Sequence, residues 1–134
     1  MMVPVQSAPT ALIDPFEIHV GPVFETGEKG SRRFFLKIDS RHVNGRGVIH
    51  GAMLMTFADL ALGQAAWDAT DKASVVTVNM RSQFLKTARV GDVVSVLPVV
   101  VRRTRSLLFL RGDFEVAGEV IFTASSIWKV LGRD

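Results

Sequence analysis

Residues 47–67, GVIHGAMLMTFADLALGQAAW, carry one formally charged side chain, Asp59. No proline interrupts residues 51–70, and Met, Leu, Ala, Phe and Gln there favour a helix. Nineteen helical residues would span about 28 Å. Such a helix is apolar nearly all round, so most of its surface must be covered. Thr56, Asp59 and Gln64 make it too polar for a good membrane span, and its start is glycine-rich. A chain of 134 residues must therefore wrap its remaining structure around this one element.

The flanking segments read as the wrapping. Residues 16–25 alternate Phe16, Ile18 and Val20 against Glu17 and His19, which predicts a strand with Pro22 at a bulge or edge. Residues 31–39 predict a second strand, joined to the first as a hairpin around ETGEKG. After the helix, residues 74–85 alternate strongly, with Thr77, Asn79, Arg81 and Gln83 on one expected face. Residues 93–104 predict a Val-rich strand disturbed at Pro98. Residues 107–116 and 119–131 complete a meander turning at Ala117 and Gly118. Two strands, one apolar helix and a run of strands form an α+β pattern, an antiparallel sheet curled round a central helix.

Residues 1–13 contain no Lys or Arg and are broken by Pro4 and Pro9, unlike a secretory leader. They read as a loose tail before a single domain over residues 14–134. The chain has no cysteine, which excludes disulfides and Cys-rich zinc sites and fits a cytoplasmic location. The three histidines, His19, His42 and His50, have no metal-ligand spacing. A formal net charge of +3 suits an anionic small molecule. The chain has no tyrosine and no recognised nucleic-acid motif, so no nucleic-acid partner is expected.

On a helix, Asp59 shares a face with Met55, Thr56, Gly63 and Ala66. A buried carboxylate is costly unless satisfied, so Asp59 is either a structural Asp with local hydrogen bonds, for instance to Thr56, or a functional one. The loop before the helix contains Asn44, a turn asparagine or a polar hand for a water or carbonyl, and His50 at the helix entrance. The amides of Gly51 and Ala52 lack intrahelical acceptors and can polarise an oxygen.

The pattern Asn-x5-His-Gly-small-x6-Asp, formed by Asn44, His50, Gly51, Ala52 and Asp59, resembles the hotdog-fold acyl-CoA thioesterases of the 4-hydroxybenzoyl-CoA thioesterase superfamily. The resemblance is to the branch related to phenylacetyl-CoA and medium- or long-chain acyl-CoA enzymes. It extends over about residues 30–131, including NGRGVIHGA, VTVNMRSQFLKTARVGD and VIFTASSIWKV. One departure stands out: Ala52 occupies a position where the family usually has a second glycine.

The resemblance implies hydrolysis of an acyl-CoA thioester. The Gly51 amide would bond the thioester oxygen, Asp59 would act as general base or nucleophile, and Asn44 would position the water or carbonyl. His50 would shape the loop, and Thr77 would place a hydroxyl near the water. The coenzyme A thioester is the substrate and no further cofactor is implied. The resemblance also implies a homodimer, with Asn44, His50 and Gly51 of one chain facing Asp59 of the other. Whether dimers pair into a homotetramer is left open. Some of Arg81, Lys86, Arg89, Arg102, Arg103 and Arg105 would meet the coenzyme A phosphates, although RRTRS equally reads as a solvated turn. Two alternatives stay open: a non-catalytic acyl-CoA sensor, favoured by Ala52, and a hotdog dehydratase acting on hydroxyacyl thioesters. Acyl carrier protein is a second possible carrier.

Overall fold

The computed structural model describes residues 3–4, 8–9 and 14–133. Its centre is helix α2, Gly51–Ala69, as the apolar stretch predicts. Met53, Leu54, Phe57, Ala58, Ala61 and Leu62 are buried against the sheet. The sheet side of this core is built from Leu36, Val94, Val96, Leu108, Leu110, Phe114 and Phe122. Phe57 meets Phe114 edge-on at 5.6 Å between centroids, and Phe114 meets Phe122 at 5.2 Å. Each such side chain contributes about 1.5–3 kcal/mol by leaving water.

Among the described residues the sheet has eight antiparallel strands: β1 (Ala8–Pro9), β2 (Phe24–Thr26), β3 (Arg33–Lys37), β4 (Val75–Phe84), β5 (Val93–Val96), β6 (Val99–Arg103), β7 (Leu107–Val116) and β8 (Glu119–Val130). They run in the order β1-β2-β3-β5-β7-β8-β4, with β6 beside β7. This is the α+β wrapping expected. Of residues 1–13, Ala8 and Pro9 pair with Glu25 and Phe24, so that part of the predicted loose tail is a short strand. Most of the rest lies outside the described residues. No helix among them is long and apolar enough to cross a membrane.

The strand predicted over residues 16–25 is wrong for most of its length. Pro15–Val20 form a helix, α1, and only Phe24–Thr26 are extended. Asp14 caps α1, accepting the Phe16 amide at 2.8 Å and the Glu17 amide at 3.0 Å. Pro15 fits the first helical turn because its missing N–H would have no partner there. The Asp-Pro-x-Glu start is a helix signal in its own right, but the apolar alternation that follows masks it. The expected hairpin survives in shorter form, with Phe24 opposite Phe35.

The run predicted over residues 93–104 divides into β5 and β6. Ser95 of β5 lies opposite Glu115 and Val99 of β6 opposite Arg111, one register across the break; that register shifts by one residue between Val100 and Arg102. The break falls at Leu97–Pro98, where proline has no amide to donate. The last hairpin turns at Ala117 and Gly118, both at positive φ (51° and 82°), the geometry of a tight two-residue turn.

A register shift between Thr77 and Asn79 changes the facing of β4. Thr77 lies opposite buried Trp128, so it faces the helix. Asn79, Arg81 and Gln83 lie opposite Ile127, Ser125 and Thr123, on the outer face. The single face expected for these four residues is therefore two faces, separated by the bulge at Val78.

Candidate active site

The loop before α2 folds on Asn44. Its side-chain Oδ1 accepts the Arg46 amide at 2.9 Å and the Val48 amide at 3.4 Å, an Asx-type turn. The Asn44 amide donates to the Val48 carbonyl, and Gly47, at φ +78°, donates to the Asn44 carbonyl. The Asn44 side-chain oxygen thus serves the loop. Val48 bridges to Arg89, which brings that arginine beside the loop.

His50 is the N-cap of α2. Its Nδ1 accepts the Ala52 amide at 3.3 Å. One of the two amides expected to be free is therefore already used within the chain. The Gly51 amide has no acceptor among the described residues. A Cβ at Gly51 would lie 3.1 Å from the Phe84 ring, so glycine here accommodates that ring.

Asp59 is not a core carboxylate. It is exposed on the single chain, in line with exposed Met55. Its Oδ1 accepts the Thr77 hydroxyl at 2.6 Å, so the satisfying partner is Thr77 and not Thr56. The expected stripe is also altered. Ala66 is buried, and Gly63 faces the indole of Trp128: a Cβ there would lie 2.9 Å from Cη2. The Cβ direction of Gly63 is taken by the Trp128 ring, while Gly63 itself borders an open groove beside Asp59.

Two open grooves of about 350 Å³ each meet at Asp59. Leu60, Trp67, Met80 and the α1 residues Phe16 and Glu17 border them, none of which was among the site candidates. The missed signal is the Asp-Pro cap that makes α1 a helix.

The basic candidates are dispersed. Arg81 points to the outer face, and Lys86 pairs with Glu119 at 2.8 Å. Arg103 donates to the Ala69 carbonyl at the far end of α2. Arg102 is on β6 and Arg105 in the turn beyond it, away from the Asn44 loop that Arg89 adjoins. Within one chain, Gly51 and Asp59 are eight residues apart on a helix, a rise of about 12 Å. The two groups therefore do not converge in one chain.

Comparison with known proteins gives a consistent picture. Residues 46–122 match the thioesterase superfamily. A Pseudomonas aeruginosa protein whose name assigns it provisionally as an esterase is 32% identical over 96 residues, 71% of this chain and 72% of that one. A mutant form of the phenylacetic acid degradation protein from Thermus thermophilus superposes with TM-score 0.79 at 20% identity, over 88% of this chain and 100% of that one. A hypothetical thioesterase from Streptococcus pneumoniae, solved with coenzyme A, superposes with TM-score 0.76 at 19% identity, over 87% and 91%. By its sequence match and its hotdog fold, this chain belongs to the thioesterase superfamily.

Proposed function

We propose that the protein hydrolyses an acyl-CoA thioester at a site assembled from two copies of the chain. The carrying observation is the pair of unconverged groups: a free amide at Gly51 on the α2 N-terminus, and Asp59 exposed about 12 Å along the same helix. An antiparallel second copy brings each Gly51 towards the other's Asp59. Strand β4 supports this seam. Among the described residues it pairs only with β8, and Val76, Val78 and Phe84 on it are exposed. An unpaired ten-residue edge is a natural place for a second strand. Two structural neighbours were solved with coenzyme A or acetyl-CoA, which supports that carrier.

In this reading the Gly51 amide, aided by the helix dipole, holds the thioester oxygen as it becomes an oxyanion, a contact worth about 3 kcal/mol. Asp59, held by Thr77, takes a proton from water or attacks the carbonyl carbon itself. The C–S bond then breaks and the sulfur leaves as the coenzyme A thiolate; the base route gives the free acid directly, and the nucleophile route leaves an acyl–Asp59 anhydride that a water hydrolyses to the acid. The Asn44 NH2 steadies the water or carbonyl.

Thiol release from short, medium, long and aromatic acyl-CoAs tests this, with Asp59→Asn beside the wild type. Turnover that needs Asp59 is expected; equal release by both proteins would overturn the assignment. Mixing and reannealing Gly51→Pro with Asp59→Asn tests the shared site, after circular dichroism has established that both fold. Two inactive parents should yield about a quarter of wild-type turnover, because half the dimers are mixed and each carries one intact site. Continued inactivity of the mixture, with mixed dimers demonstrated, would place each site within one chain.

A further inference from the structure

Helix α1 has no place in the mechanism above, yet it stands between the two grooves at Asp59. Asp14 borders both grooves, Phe16 one and Glu17 the other. The Phe16 groove continues along Met55, Leu60 and Met80, with Asp14, Thr56 and Asp59 supplying its side-chain polarity. The Glu17 groove is more polar, with Gln64 and Ser74 in its wall.

α1 has no buried residue, and six residues are too few for a helix to persist alone. Its position is imposed from its carboxyl end. The Arg41 guanidinium donates to the His19 carbonyl and, at 2.5 Å, to the Gly21 carbonyl. His42 accepts the Asp39 amide at Nδ1, so its Nε2–H donates to the Val20 carbonyl at 2.5 Å. Three successive carbonyls are thus gripped by the loop that continues into Asn44. The grip holds Phe16 beside the Asp59 carboxylate although the residue is 55% exposed.

We infer that α1 is the acyl-selecting element of this site, with Phe16 as one wall of the acyl groove and Arg41 as the residue that positions it. The inference rests on the thioesterase reading and adds the substrate class: uncharged, apolar acyl groups long enough to reach Phe16. A groove of about 350 Å³ is in the range of small-ligand pockets. Its two methionines suit a flexible hydrocarbon because their unbranched side chains re-pack around it. Asp14 and Asp59, which both border this groove, together repel an acyl group that ends in a carboxylate, so succinyl-CoA should be a poor substrate.

The test compares kcat/KM for acetyl-CoA, octanoyl-CoA and succinyl-CoA in the wild type, Phe16→Ala and Arg41→Ala. Phe16→Ala should lower the octanoyl-to-acetyl ratio about tenfold, the scale set by losing apolar contacts in a binding pocket. Arg41→Ala should lower the same ratio by releasing α1, although Arg41 touches no substrate. Calorimetric binding of octanoyl-CoA and coenzyme A to Asp59→Asn, with and without Phe16→Ala, reads the same preference without turnover. An unchanged ratio in both measurements would overturn the inference, as would dissociation of the oligomer by Phe16→Ala, which would make Phe16 an interface residue. Selective binding without turnover by the wild type would instead sink hydrolysis and leave the acyl preference standing.

Discussion

Thr77 on β4 donates its hydroxyl to Asp59 on α2 across 2.6 Å. The contact exists because β4 bulges at Val78: an unbroken strand would put Thr77 on the same side as Asn79, away from the helix. Hydrogen bonds to a charged group contribute about 1.5–3 kcal/mol. Thr77→Val should therefore lower kcat by about 10- to 100-fold with little change in KM, since the shape is kept and only the positioning of Asp59 is lost. Thr77→Ser should restore most of the rate. A valine variant with wild-type kcat would leave the contact with a purely structural role.

Gly63→Ala tests why the helix has a glycine there. The added methyl would lie 2.9 Å from the Trp128 ring. That ring is buried, and its Nε1 donates to Ser126 Oγ at 2.8 Å, so it has little room to turn. Overpacking of this kind costs about 1–3 kcal/mol, against a gain of about 1 kcal/mol in helix propensity. Net destabilisation of about 1 kcal/mol is expected by urea unfolding. A more stable variant would mean that the indole moves freely.

His50 is expected to act as a cap and not as a proton carrier. His50→Ala should destabilise the protein by about 1 kcal/mol. His50→Asn should recover that stability, because asparagine caps well, and should keep turnover within a few-fold of wild type. Loss of turnover by orders of magnitude in a fully stable asparagine variant would put the imidazole in the chemistry.

The α1 tether should resist acid. The hydrogen bond from the Arg41 side chain, with a second from the Arg41 backbone amide, holds the Asp39 carboxyl below its usual value. A lowered folded-state value means that the stabilisation is complete above the unfolded value of about 3.9 and is lost as pH falls through the lower one. The pair is half-exposed, so the contribution is small. Tryptophan fluorescence of Phe16→Trp should hold steady down to about pH 4 and change only in stronger acid. A transition centred between about pH 5 and 6 would assign the tether to another group.

Residues 51–69 could be read directly, because an unbroken apolar run of helix formers has few ways to fold. The β7–β8 hairpin was equally plain, since Ala117–Gly118 is a local turn signal between two apolar runs. The eight-residue spacing from Gly51 to Asp59 already meant that one helix could not bring the two together. Helix α1 defeats a local reading because six residues satisfy a strand's alternation and a helix's cap at once. The Asp14 cap makes the helix, and its place beside α2 is held by Arg41 and His42, side chains some twenty residues away.

Facing and company were likewise settled only in three dimensions. The side on which Thr77 lies depends on one bulge against β8, which sets Thr77 opposite Trp128, the ring that packs over Gly63. The six basic residues share a charge but not a location, because each goes where its own strand or turn takes it. Local pattern determined the elements and the order of the chemical groups along them. Long-range packing decided which side chains meet, because that depends on contacts between segments far apart in the chain.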